Sequence, residues 1–146
     1  MQKTMKKIIQ KNLIWVLIIG VGSVAFAAYM YNKPHKNIAR AQPDYSLTSA
    51  EIYREFEETE PLANGRYLNK VVAVTGELNG VETNEKGDPV LVLEAGSVLG
   101  GVRCTMGTGQ AQEITALQKG TEVQVKGICT GMLLDVILVQ SILVQP

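Results

Sequence analysis

The stretch KGICTGMLLDVILVQSILVQP, residues 126–146, decides the fold. It contains two apolar runs rich in β-branched residues, VILV at 136–139 and ILV at 142–144. Such runs are typical of a strand that is packed on both faces. Thr130-Gly131-Met132 supplies a turn before this strand, and Asp135 marks its polar start. The stretch therefore predicts a β-hairpin that closes a small barrel.

Two helices and four further strands are predicted upstream. Thr48 and Glu51 form a helix-start signal, because each side chain can cap the backbone N–H of the other. Pro61 disfavours a helical conformation at Glu60, so a break or kink is expected there. The other predicted elements are strands at 70–82, 88–95, 101–106 and 121–129, with a short helix at 109–120 between the third and the fourth.

The order helix, β, β, β, helix, β, β is the arrangement of an OB-fold. The predicted fold is therefore mainly β. It is a five-stranded Greek-key barrel with one helix before it and one helix between its third and fourth strands. The barrel domain is expected to cover residues 46–146 and to follow one N-terminal transmembrane helix.

Charge is divided unequally along the chain. Residues 1–43 carry seven basic residues and no acidic one, whereas residues 44–146 carry all 14 acidic residues and seven basic ones. Residues 13–31 contain no charge, and in a helix they would rise about 28 Å, close to the thickness of a bilayer core. Four lysines precede this segment, which predicts a cytoplasmic N-terminus.

The predicted organisation is a cytoplasmic basic stub at 1–12, a transmembrane anchor at 13–31, a tether at 32–45 and the barrel domain. The alternative is a cleaved secretory signal, because Ala25-Phe26-Ala27 has the form of a cleavage site. The length of the apolar run favours a retained anchor.

Two motifs resemble the tRNA-anti-like family of bacterial OB-fold proteins. The first, E-x-x-A-x-x-x-Y-x-x-K-V-x-x-V-T-G, extends from Glu60 to Gly76, and the second, V-K-G-x-C-T-G-x-x-x-D-V-I-L, extends from Val125 to Leu138. The resemblance covers about residues 46–144 and implies an OB-fold behind an export segment that is often an anchor. It implies no catalytic residues. The expected location is the bacterial inner membrane in a single pass, with the C-terminal domain in the periplasm, or the periplasm itself if the segment is cleaved.

The sequence offers no active site, cofactor site or metal site. His35, the only histidine, lies in the predicted tether, and no C-x-x-C motif is present. Gly107 and Gly109 begin a pattern like a phosphate loop, but Gln112 stands where the third glycine would be. We therefore expect no enzymatic activity, no cofactor and no metal.

Cys104 and Cys129 both fall on the inward parity of their predicted strands. Exported cysteines usually pair, so a disulfide between them is expected. The alternative is two buried thiols that act as small apolar side chains.

Nucleic acid is not the expected ligand. Binding a phosphate chain needs a basic track and stacking aromatics. The predicted strands bring only Lys70, Arg103 and Lys126, and they contain no aromatic residue. Protein interaction in the cell envelope is the favoured function, with a small-ligand or glycan-binding module as the alternative.

In OB-folds the ligand usually meets the loops that join strands 1–2 and 4–5. In the first of these loops the expected contacts are the acidic residues Glu82 and Glu85, and in the second they are the apolar residues Met132 and Leu133. An apolar centre with an acidic rim suits a protein partner. The alternative is that Met132 and Leu133 plug the end of the barrel.

Overall fold

The computed structural model describes residues 20–23, 25–26, 38–107 and 109–145. The chain divides into two units, Met1–Lys36 and Asn37–Pro146. In the first unit, residues 20–23 and 25–26 are helical. The rest of the predicted transmembrane segment and the first part of the predicted tether lie outside the described residues. Within the described ranges, no helix has the length and apolar character needed to cross a membrane.

The second unit has six strands and three helices in its described part. In chain order they are β1 (Tyr45–Thr48), α1 (Ser49–Glu58), α2 (Glu60–Tyr67), β2 (Val71–Thr83), β3 (Pro89–Leu93), β4 (Val102–Met106), α3 (Ala111–Thr115), β5 (Glu122–Met132) and β6 (Val136–Gln145).

Strands β2 to β6 form a closed five-stranded barrel. β2 pairs antiparallel with β3, and β3 pairs antiparallel with β4. β4 pairs with β6 in parallel, β6 pairs antiparallel with β5, and β5 returns to β2. This connectivity is that of an OB-fold, so the predicted five-stranded barrel is confirmed.

The long first barrel strand β2 makes closure possible. Its residues Val71 to Glu77 pair with β5, and its residues from Leu78 to Thr83 pair with β3. The register shifts between Leu78 and Gly80, where the strand passes from one partner to the other. Irregularities of this kind increase local twist, which a closed barrel requires.

Strand β1 was not predicted. Tyr45–Thr48 was assigned partly to the tether, but it pairs in parallel with residues Val72 to Thr75 of β2. The four residues YSLT carry no clear alternation, since only Leu47 is half-buried and the others are exposed. The ordered domain therefore begins earlier than residue 46.

The predicted helix break is confirmed. α1 ends at Glu58 and α2 begins at Glu60, with Pro61 in its first turn. The predicted capping box is also present: Thr48 Oγ1 accepts the Glu51 N–H at 3.2 Å, and Glu51 Oε2 accepts the Thr48 N–H at 2.8 Å. α3 is shorter than the predicted 109–120, because the chain leaves it through a tighter turn in which the Leu117 N–H donates to the Ile114 carbonyl.

One apolar core fills the barrel. The inward side chains alternate along the strands. This holds for β6 as well, where Val136 and Leu138 are buried and Val144 is exposed, so the predicted packing of this strand on both faces is wrong. They include Val72, Val74, Leu78, Leu91, Leu93, Val102, Cys104, Met106, Val123, Val125, Cys129, Val136 and Leu138, and Ile52 and Phe56 of α1 join the same cluster.

The predicted disulfide is not formed in this fold. Cys104 and Cys129 are free, buried thiols. Both stand opposite Leu138, one on each side, because β6 runs between β4 and β5. Two strand spacings separate the cysteines by about 10 Å, whereas a disulfide needs Cα atoms within about 7 Å. The prediction that both side chains point into the barrel is confirmed. The alternation of a strand does not show, however, which strands are neighbours in the sheet.

Candidate interaction surface

The four predicted partner contacts lie at opposite ends of the β3–β4 pair. Glu82 is opposite Val90 near the turn that joins β2 to β3, and Glu85 lies in that turn. Met132 and Leu133 lie at the other end, where Val136 pairs with Val102 at the start of β4. The structure therefore does not bring the four residues together.

The turn that carries Glu85 is closed by the Asn84 side chain. Asn84 Oδ1 accepts the N–H groups of Lys86 and Asp88, each at 2.9 Å. Gly87 has a positive φ of 86°, a conformation that glycine adopts without strain. Glu85 is thus exposed at the tip of a well-fixed turn.

Arg103 lies on the outer face between the two ends and is paired with carboxylates. Its Nη2 is 2.6 Å from Glu82 Oε2, and its Nε is 3.9 Å from Asp135 Oδ2. Asp135 Oδ1 also accepts the Gly101 N–H at 2.7 Å. Two carboxylates therefore compensate the one guanidinium, and Glu82 is engaged in this network.

The loop between β3 and β4 packs against the turn between β5 and β6. The Val136 N–H donates to the Gly101 carbonyl at 3.0 Å. A side chain at Gly100 would overlap the Leu134 carbonyl oxygen, so only glycine permits this close approach of the two backbones. Together with the Asp135–Gly101 bond, these contacts hold the two loops as one unit.

This unit presents four large apolar side chains to solvent. Leu133 is 84% exposed, Leu134 and Leu99 are each 73% exposed, and Val98 is fully exposed. We name Val98, Leu99, Leu133 and Leu134 the loop patch. Scattered single apolar residues are common on protein surfaces, whereas adjacent ones mark contact sites.

The loop patch corrects the sequence prediction in part. Leu133 was predicted, but Met132 is half-buried and packs against the barrel core, as the plugging alternative required. Val98 and Leu99, which lie in the loop between β3 and β4, are not among the predicted contacts. Their signal in the sequence is a Val-Leu pair inside a glycine-flanked loop.

Two shallow pockets flank the loop patch. One, of about 180 Å³, includes Leu99, Glu94 and Asp135 in its lining. The other, of about 350 Å³, lies between α2 and the end of β5, and its lining includes Leu133 and Glu60. The apolar centre is thus bordered by carboxylates on both sides.

The three basic residues of the predicted strands differ in whether they could contact an anionic ligand. Arg103 is paired as described above. Lys126 is only 9% exposed, and its Nζ donates to the Ala41 carbonyl at 2.8 Å. Lys70 is exposed. In the part of the chain that the structure describes, no group of histidine, cysteine or carboxylate side chains could hold a metal ion.

The closed five-stranded barrel places this chain among small OB-fold proteins. The model of the tRNA_anti-like family matches residues 1–143, so the chain belongs to this family. No curated protein matches the chain.

One similar solved structure comes from Klebsiella pneumoniae and is described as a "putative nucleic acid-binding lipoprotein". Its TM-score is 0.53 at 18% sequence identity, and the match covers 77% of this chain and 100% of that chain. At this identity the likeness shows the fold alone.

Proposed function

We propose that this protein is a membrane-anchored, extracytoplasmic OB-fold module that binds a protein partner in the cell envelope. The supporting observation is the loop patch, four large apolar side chains exposed on two loops that are fixed to each other. Exposed apolar clusters bordered by polar groups are typical of protein contact sites. A pre-formed unit also loses little conformational freedom on binding, which favours affinity.

The description of the Klebsiella pneumoniae structure suggests nucleic acid as another ligand. The chemistry of this chain argues against it, because Arg103 is neutralised by Glu82 and Asp135 and Lys126 is buried. Residues 70–146 also contain no aromatic side chain on which a base could stack. A phosphate chain would meet mainly carboxylates on this surface.

A small ligand is the second candidate, and a pocket at the other end of the barrel favours it. This pocket of about 660 Å³ lies beside α3 and has both apolar and polar lining. Leu117, Leu143 and Val144 supply apolar surface, and Glu113, Gln118 and Thr121 supply polar groups. Its size is in the range of small-molecule sites, which are about 300–1,000 Å³.

A pull-down with the full chain in native membranes tests the protein-binding proposal. We expect the double variant Leu99→Ser and Leu133→Ser to recover at least tenfold less partner, since apolar anchors that become buried dominate such contacts. Both side chains are exposed, so the fold should persist. The matched control is Leu62→Ser on α2, where a leucine that is 65% exposed lies outside the loop patch.

Equal recovery of the partner with the double variant and with the control would refute the role of the loop patch. The same proteins are to be titrated with a fluorescent oligo-dT and applied to a glycan array. Saturable binding of oligo-dT at physiological salt, or of a glycan, with no stoichiometric protein partner would overturn the proposal itself.

A further inference from the structure

Lys126 occupies a position where the strand pattern predicts a solvated side chain. In β5 the residues Val123, Val125 and Cys129 point into the barrel, so Lys126 points outward. It is nevertheless only 9% exposed. A buried ammonium loses its hydration, so its surroundings must supply polar partners.

The partners of Lys126 come from the segment that precedes β1. The ammonium donates to the Ala39 carbonyl at 3.3 Å and to the Ala41 carbonyl at 2.8 Å. Among the described residues, no carboxylate lies within ion-pair distance of Lys126. Ile38, at the start of this segment, is buried as well, with 4% of its surface exposed.

The segment is attached more weakly than the strand that follows it. Residues 38–43 contain turns and bends but no strand. At Asp44 the chain becomes hydrogen-bonded to the start of β2. The Asp44 N–H donates to the Val71 carbonyl at 2.7 Å, and the Val71 N–H donates to Asp44 Oδ2 at 2.9 Å. From Tyr45 the chain is part of the sheet. Segments held by few contacts open locally while the rest of a protein stays folded.

We propose that residues 38–43 form a releasable latch, held by Lys126, that opens while the barrel stays folded. Opening would free six residues, and an extended chain of that length spans about 20 Å. If the domain is anchored as proposed above, the open latch lengthens the tether and widens the region that the loop patch can reach. The latch itself does not depend on the anchor.

Opening of the latch can be measured as the rate of trypsin cleavage after Arg40. Trypsin cleaves after arginine, and Arg40 lies between the two residues whose carbonyls Lys126 binds. Its side chain is exposed, so in the latched state only the held backbone protects the bond. Protease cleavage of such a bond follows the population of the open form. We expect Lys126→Met to speed cleavage after Arg40 tenfold or more in the full chain, as followed by mass spectrometry.

The matched control is Lys119→Met, which removes an exposed lysine and should leave the cleavage rate unchanged. A second variant, Ile38→Asn, weakens the latch from its own side and should raise the rate without altering the barrel. Thermal unfolding is measured for each variant, and if Lys126→Met does not fold, Ile38→Asn alone decides. A wild-type cleavage rate in the folded variants would overturn the latch, whatever the partner assay shows.

Discussion

Cys104 illustrates how burial changes a single side chain. It lies in the middle of β4, is fully buried and contributes to the apolar core. Loss of hydration raises the pKa of the Cys104 thiol far above its usual value. The same cause raises the pKa of Cys129, opposed by a hydrogen bond with the Gly131 backbone. Neither thiol is available as a reactive nucleophile in the folded domain.

The raised pKa of Cys104 predicts alkaline destabilisation. Above about pH 8.5 the thiol ionises in the unfolded chain but stays protonated in the folded one. The folded state then binds more protons, so the free energy of unfolding falls as the pH rises. Urea unfolding between pH 7 and pH 10 should show this decline, and Cys104→Ala should show a shallower one. An equal slope in both proteins would contradict the assignment.

The absence of a disulfide between Cys104 and Cys129 can be tested directly. Mass spectrometry of the protein, alkylated without reductant after unfolding, should find Cys104 and Cys129 both modified. A mass two units lower with no alkylation would show that the strand order described for β4, β6 and β5 is wrong.

At the scale of elements, Thr48 joins a strand to a helix. It is the last residue of β1 and the N-cap of α1, whose Ile52, Tyr53 and Phe56 are buried. The reciprocal bonds between Thr48 and Glu51 satisfy backbone N–H groups that a helix start leaves free. The cap therefore fixes the direction in which α1 approaches the barrel.

Thr48→Ala should destabilise the domain by about 1 kcal/mol, since it removes an N-cap side chain. The control is Ser46→Ala, which changes an exposed residue of the same strand. Thermal unfolding of the three proteins gives the comparison, with a lower Tm expected only for Thr48→Ala. Equal midpoints would show that the cap contributes no stability.

The elements that the sequence predicts best are those with a strong local pattern. Alternation and apolar runs predict the five barrel strands, and Pro61 predicts the break between α1 and α2. β1 has no such pattern, because its place depends on pairing with β2 far along the chain. The loop patch was only partly predictable for the same reason. Its two loops meet because β4 and β6 are neighbours in the sheet. The local sequence of neither loop indicates which strands are neighbours.

At the scale of the whole molecule, charge follows the proposed topology. The four lysines that precede the predicted anchor suit a cytoplasmic N-terminus and therefore an exported domain. A phosphatase reporter that is active only outside the cytoplasm, fused after Pro146, should therefore be active. Activity of a cytoplasmic reporter at the same position, with an inactive phosphatase fusion, would contradict the topology.

The double pairing of β2 has a consequence for how the chain is made. β2 can begin a hairpin with β3 early, but its first half waits for β5, since Val71 pairs with Ile128. Contacts between distant positions form slowly, because a long loop must close first. A ribosome that has released β2, β3 and β4 has therefore not yet supplied the strand that seals the barrel. If the domain is exported as proposed, its nascent chain stays open enough to pass through a secretion pore, and folding is completed on the far side.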